Sequence, residues 1–162
     1  MDMKDNLLEL INLELQMMTD CSDIVNYSDL ENLPKWYMYQ SNRFYKITNE
    51  LMKLTRMYIK EYKEIPKMES PKHTLYELPY VHSDNDIKST FLTSWLDSET
   101  KILQLLETLY KENKNPLFKN FYMTHKTYHT TAEKCIGTNS IIVSPKKTTR
   151  ERLKEKLESK NN

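Results

Sequence analysis

The chain has 162 residues, a formal net charge of +1 and 38% hydrophobic residues. That length fits one domain with a real core, and so near-neutral a charge gives no general electrostatic case for nucleic acid or a membrane surface. The single glycine, Gly137, excludes glycine-rich phosphate loops, dinucleotide fingerprints and a fold of tight β-hairpins, all of which need positive-φ positions.

The N-terminal stretch MDMKDNLLEL lacks the basic and apolar regions of a secretory signal. No apolar run approaches the roughly 18 residues that a membrane span needs. A first helix is expected from Lys4 to Asn26, with Leu7, Ile11, Glu14, Met18, Cys21 and Val25 on one face. A competing face, Leu8, Ile11, Leu15 and Met18, would leave Glu14 at a solvated edge. Leucines surround this helix almost completely, which suggests burial on most sides, against a partner subunit if one is present.

A second helix is expected from Lys35, after Pro34, to Pro66 at the latest. Its stripe reads Tyr37, Gln40, Phe44, Ile47, Leu51, Leu54 and Tyr58, with no ionisable group. The segment PKMESPKHTLYELPYVHS, from Pro66 to Ser83, has prolines and no helical period, so it reads as a connection in which TLYEL is briefly extended. Ser83 and Asp86 resemble a capping box opening a third helix that runs to Asn113. That helix carries Leu92, Trp95, Glu99, Ile102, Leu106 and Leu109 on one face. Pro116 opens a fourth helix and Gly137 stops it, as proline at the first position and glycine just past the end tend to do. Its stripe is Phe118, Tyr122, His125, His129, Ala132 and Ile136. Residues 1–140 thus form a four-helix unit, and 141–162 a linker with a charged tail, either a short surface helix or disordered.

Connection lengths order the helices. The first and third links are short and join antiparallel neighbours, whereas the middle one has nearly twenty residues. Extended at about 3.3 Å per residue it reaches ~60 Å, and a helix of 26 residues is only about 39 Å long. The middle link can therefore return along the whole bundle. The expected architecture is all-α, an up-down-down-up four-helix bundle with one long crossover.

Polar residues inside the apolar stripes are the functional candidates. Glu14, Glu99, His125 and His129 lie near the middles of their helices. A buried carboxylate costs several kcal/mol unless it is paired, protonated or bound to a cation. Carboxylates and imidazoles converging on one axis could satisfy each other, or hold iron, manganese or zinc. Each of them taken singly could instead sit at a stripe's edge and reach water. The aromatic start of the second helix, Trp36, Tyr37, Tyr39, Phe44 and Tyr45, reads as core packing or a dimer surface. His73 and His82 read as loop residues, and Cys21 and Cys135 as small buried groups in a reducing compartment. In the tail, Lys146, Lys147, Arg150, Arg152, Lys154 and Lys156 interleave with Glu151, Glu155 and Glu158, as in a solvated helix; binding of phosphate or of a protein partner is the other reading. No local pattern marks a nucleophilic catalytic arrangement.

Several short stretches resemble ferritins. Ile11-Asn12-Leu13-Glu14-Leu15 is similar to the first-helix motif whose glutamate binds iron, and Leu51-Met52-Lys53-Leu54 to the end of the second helix. Leu105-Leu106-Glu107, Asn115-Pro116-Leu117-Phe118, Phe121 and Thr124-His125 resemble the third-to-fourth helix junction. The resemblance covers roughly residues 5–137 and implies a ferritin-like bundle. It also implies a Glu-x-x-His pair on the second helix, but anchoring on Leu51 puts those positions at Phe44 and Ile47. The expected tyrosine falls at Cys21, a fourth-helix ligand near Thr130, and the fifth helix is replaced by the tail. Glu14 and Glu99 match ligand positions, so a standard dinuclear ferroxidase centre is not expected. The tail is similar to basic C-termini of some large DNA virus proteins.

Three functional expectations follow. The first is a ferritin-like structural or assembly subunit without that centre, a homo-oligomer burying apolar surface against its own copies. The second is a metal store or oxidoreductase with an altered iron, manganese or zinc site built from Glu14, Glu99, His125 and His129. The third is a viral or mobile-element binding protein that docks a partner through its tail. The expected location is cytoplasmic, or virion-associated on the third reading; no membrane or nucleic-acid partner is expected, and no catalytic residue is assigned.

Overall fold

The structure, a computed structural model, describes residues 2–26, 34–74, 84–137, 153–154 and 156–158, with side chains from Met38 onward in the second helix and from Ser89 onward in the third. Four long helices dominate: α1 (Met3–Val25), α2 (Pro34–Tyr62), α3 (Asp84–Asn113) and α4 (Pro116–Gly137). The described residues contain no strand, and none of their helices is long and apolar enough to cross a membrane.

The helix ends follow local chemistry. Asp2 caps α1, its Oδ1 accepting from the Asp5 N–H at 2.9 Å. Proline opens both α2 and α4. At α4, Asn115 Oδ1 also accepts from the Leu117 N–H at 3.0 Å. α2 and α3 end on left-handed residues, Lys63 at φ 55° and Lys114 at φ 61°. Their N–H groups return to Ile59 O at 2.9 Å and Tyr110 O at 2.8 Å, satisfying carbonyls of the last turn. A glycine usually takes this position because a Cβ crowds it. The one glycine lies elsewhere: Gly137 is the last residue of α4, without positive φ, rather than a left-handed stop beyond it.

Named contacts fix the relative directions. Lys4 of α1 pairs with Glu64 just past α2, and Cys21 of α1 meets Gln40 and Arg43 near the start of α2, so these helices are antiparallel. α1 and α3 are also antiparallel: Ser94 donates to Asp20 at 3.3 Å, and Asn113 reaches Met3 Sδ at the other end. α3 and α4 meet through Glu99–His125 and are joined by Lys114 and Asn115 alone, a link short enough to make them an antiparallel hairpin; α2 faces α4 through Glu50–His125.

The described part of the crossover climbs α1. Asn12 Nδ2 donates to Lys67 O at 3.3 Å, and its Oδ1 accepts from Glu69 N–H at 2.9 Å. One turn on, Gln16 donates to Lys72 O at 2.7 Å and accepts from Lys72 N–H at 2.8 Å. His73 then lies 2.9 Å from Asp23 near the end of α1. Two side-chain amides thus satisfy the backbone of a segment that has no secondary structure of its own. The capping motif at Ser83, the crossover from Leu75, His82, and the side chains of Trp36 and Tyr37 lie outside the described residues. So does most of 141–162, of which Leu153, Lys154 and residues 156–158 are helical and exposed.

The core is Leu7, Leu10 and Ile11 from α1, Ile47 and Leu54 from α2, Ile102 and Leu106 from α3, and Phe118 and Ala132 from α4, with their buried neighbours. The expected α3 face, Leu92 to Leu109, is buried throughout. On α1, Met17 and Ile24 go inside while Met18 and Val25 are half-buried. On α2 the buried face runs Gln40, Arg43, Ile47, Glu50, Leu54 and Tyr58, and Phe44 sits at its edge. On α4 it runs Phe118, Phe121, His125, Tyr128, Ala132 and Cys135; Tyr122 and His129 are half-buried and Ile136 is exposed.

Candidate metal centre

At mid-height every helix sends a charged group into this core. α1 supplies Glu14, α2 supplies Glu50 and Arg43, α3 supplies Glu99 and α4 supplies His125. Glu14, Glu99 and His125 are fully enclosed, Arg43 is 1% exposed and Glu50 is 5% exposed. The α2 pair is seven residues apart, two helical turns, which brings both to one face.

His125 is the hub. Its Nδ1 lies 2.6 Å from Glu99 Oε2 and its Nε2 lies 2.6 Å from Glu50 Oε2. Glu14 Oε1 lies 2.8 Å from the same Nε2, yet neither Glu14 oxygen has a hydrogen-bond donor among the described residues. Glu14 is close to the imidazole and off the line of its N–H. Behind Glu99 stands Arg43, whose Nη2 donates to Glu99 Oε1 at 3.1 Å. Arg43 Nη1 lies 3.1 Å from Cys21 Sγ and 3.3 Å from Gln40 Oε1, and its guanidinium lies over the Trp95 ring, 4.3 Å from the centroid.

The charges explain the protonation states. Burial alone would push His125 down, but the Glu14 and Glu99 carboxylates outweigh it and hold the imidazole well above its usual range. For Glu99, burial acts upward, and His125 with Arg43 overcomes it, leaving this carboxyl below its ordinary value. Burial pushes Glu14 up to about 8, opposed by His125 and reinforced by Glu50. Three carboxylates face one imidazolium and one guanidinium. A proton on Glu14 brings the sum to zero, as an interior that cannot solvate charge requires.

A cation can do what that proton does. One ligand atom each from Glu14, Glu50 and His125 lies within 4.8 Å of the others. Atoms about 2.1 Å from a shared ion stand roughly 3 Å apart, so the set closes on an ion with small side-chain shifts. Glu99 holds the Nδ1 proton of His125, so loss of the other ring proton would leave the Nε2 lone pair for a metal. Two carboxylates and an imidazole suit iron, manganese or zinc.

Of the residues expected from the sequence, the structure brings Glu14, Glu99 and His125 together and leaves His129 out. His129 faces the α3–α4 surface, Nδ1 2.6 Å from Glu133 Oε1 and Nε2 3.2 Å from Thr100 Oγ1. The α4 stripe steps from His125 to Tyr128, which turns His129 away. Sequence reading missed Glu50 and Arg43. The expected stripe is buried at Gln40, Ile47, Leu51, Leu54 and Tyr58, but the inner face is wider than that stripe and also takes in Arg43 and Glu50, while Phe44 stays at its edge. The 3-4-3-4 spacing of Gln40, Arg43, Ile47, Glu50 and Leu54 was the available signal.

No protein-family model, curated protein or solved structure matches this chain.

Proposed function

We propose that this chain is a metal-binding helical-bundle protein of ferritin-like topology, holding one divalent cation between Glu14, Glu50 and His125. The carrying observation is the approach of these three ligand atoms to within 4.8 Å of one another, at groups buried in the bundle centre. The unbonded Glu14 oxygens support the reading, since a buried carboxylate without a donor is costly unless a proton or a cation meets it. The antiparallel pairs α1–α2, α1–α3 and α3–α4, with a crossover climbing α1, support the up-down-down-up topology. Iron, manganese and zinc are the candidate ions. A bound ion would supply Lewis-acid chemistry and, if iron or manganese, one-electron chemistry; the chain's part is to orient His125 through Glu99 and to exclude water. Storage and oxidoreduction are the activities in question. Metal analysis of the whole chain, supplemented with each cation in turn, tests the reading. About one ion per chain, lost in Glu14→Ala and Glu50→Ala, is expected; metal-free protein under all supplements would reduce the cluster to a structural charge network.

A second reading, a self-assembling subunit, has its own observation. Met38, Tyr45, Met52 and Ile59 recur every seven residues along α2 and are exposed large hydrophobics. A stripe at that spacing on an outward face suits packing against another helix, and a homo-oligomer formed along α2 is compatible with a metal centre inside each copy. Sedimentation velocity across a concentration series tests it, a monomer throughout counting against assembly.

A further inference from the structure

We propose that Arg43 occupies a second cation position beside the metal centre and so fixes the centre at a single ion. This rests on the metal reading above. The guanidinium is enclosed by donor atoms of the kinds that bind metals: Glu99 Oε1 at 3.1 Å from α3, Cys21 Sγ at 3.1 Å from α1, and Gln40 Oε1 at 3.3 Å from α2. Cys21, Gln40 and Glu99 are all fully buried, and Cys21 Sγ lies 3.7 Å from Gln40 Oε1. Thiol, amide oxygen and carboxylate from three helices therefore converge on one point, and a side-chain cation fills it. The faces of Trp95 and Tyr128 close the pocket, 4.3 and 5.5 Å from the guanidinium carbon.

Glu99 links the two positions. One of its oxygens takes Arg43 and the other takes His125. A free metal in the Arg43 pocket would compete for the same carboxylate and for the Cys21 sulfur. Protons leave such ligands when a metal arrives, but a guanidinium does not lose its charge. Arg43 is also tethered, so a free ion must compete against a guanidinium held at high effective concentration. The consequence is specificity of nuclearity: one exchangeable cation at Glu14, Glu50 and His125, and one permanent cation next door.

Cobalt(II) titration of the full chain tests this, because sulfur ligation gives a near-ultraviolet charge-transfer band. Wild type is expected to take one cobalt(II) without that band. Arg43→Ala is expected to take two and to show the band, and Arg43→Ala/Cys21→Ser to return to one without it. Folded Arg43→Ala, judged by circular dichroism, that takes one ion and shows no band would overturn the proposal, as would a Cys21-dependent band in wild type. Wild type taking none while Arg43→Ala takes one with the band would uphold the role of Arg43 and sink the Glu14–Glu50–His125 centre. No cobalt in either protein would sink both. If Arg43→Ala does not fold, Arg43→Lys decides: it keeps the charge, so one ion and no band is expected, and a second ion or a band overturns the proposal.

Discussion

Glu99 and His125 share a 2.6 Å hydrogen bond that joins α3 to α4 inside the core. It does two things at once: it fixes which ring nitrogen of His125 would keep its proton when a metal takes the other, and it ties the imidazole to a carboxylate already held by Arg43. Glu99→Gln is expected to weaken metal binding by roughly 10–100-fold, the usual effect of removing a partner of a ligating histidine. Competition against a chromophoric chelator measures it, and unchanged affinity would deny Glu99 this role.

The metal-free protein is expected to lose stability as pH rises. Glu14 moves from an ordinary 4.5 to about 8 in the folded chain. Between those values the unfolded chain has released a proton that the folded chain keeps, so stability falls with rising pH. His125, held above its ordinary 6.5, acts in the same direction, contributing fully below 6.5 and being lost as pH climbs through its folded value. Glu99, held below 4.5, works the other way and is lost as pH falls. Urea unfolding at about pH 6 and about pH 9 should differ by on the order of a few kcal/mol in favour of the lower pH. Glu14→Gln should flatten that slope, and a midpoint that rises with pH would contradict the assignment.

Metal affinity should move oppositely. Binding displaces protons from Glu14 and His125, so the apparent affinity rises with pH toward about 8, where Glu14 ionises unaided. Calorimetry in two buffers of different ionisation enthalpy counts the released protons; binding without release would exclude these ligands.

The two fourth-helix histidines should separate cleanly. His129→Ala removes a half-exposed pair with Glu133, worth about 1 kcal/mol or less, and leaves metal binding intact. His125→Ala strands buried carboxylates and should cost roughly 3–5 kcal/mol as well as the metal. Equal effects of both on binding would restore His129 to the site.

The crossover should loosen when its two amide anchors are removed. Asn12→Ala and Gln16→Ala each delete a reciprocal pair of hydrogen bonds to backbone, at about 1 kcal/mol per bond. Hydrogen exchange at the Glu69 and Lys72 amides should accelerate, with little change at Leu54 in the core. Protection that survives both substitutions would mean that other contacts hold the segment.

The all-helical class and the approximate bounds of the four helices were legible because prolines and 3.6-residue periodicity agree. The α3 face was legible too, since Glu99 sits in a stripe with no apolar competitor beside it. α2 was legible in its apolar row, with Ile47, Leu51, Leu54 and Tyr58 all buried, but hydrophobicity alone passes over Arg43 and Glu50, the charged residues that go inside beside Phe44 and Leu51. Burial of Arg43 and Glu50 is decided by partners on other helices, Glu99 and His125, which no local window contains. His129 misled through a one-residue phase difference: three residues after His125 comes Tyr128, four after comes His129, and both continue a helical stripe. The anchoring of the crossover by Asn12 and Gln16 had no local signal, because amides on a half-exposed face look like ordinary surface.

The polar layer also sets alignment along the bundle axis. A helix in a uniformly leucine-lined core can slide by one turn, about 5.4 Å, and still find apolar neighbours. Here such a slip on α4 would carry His125 out of reach of Glu14, Glu50 and Glu99 together, leaving three buried acids without the imidazolium that faces them all. Each of the four helices contributes one tooth to the same gear. The centre therefore works as a vernier for the whole molecule, permitting a single axial setting of the helices before any ion arrives.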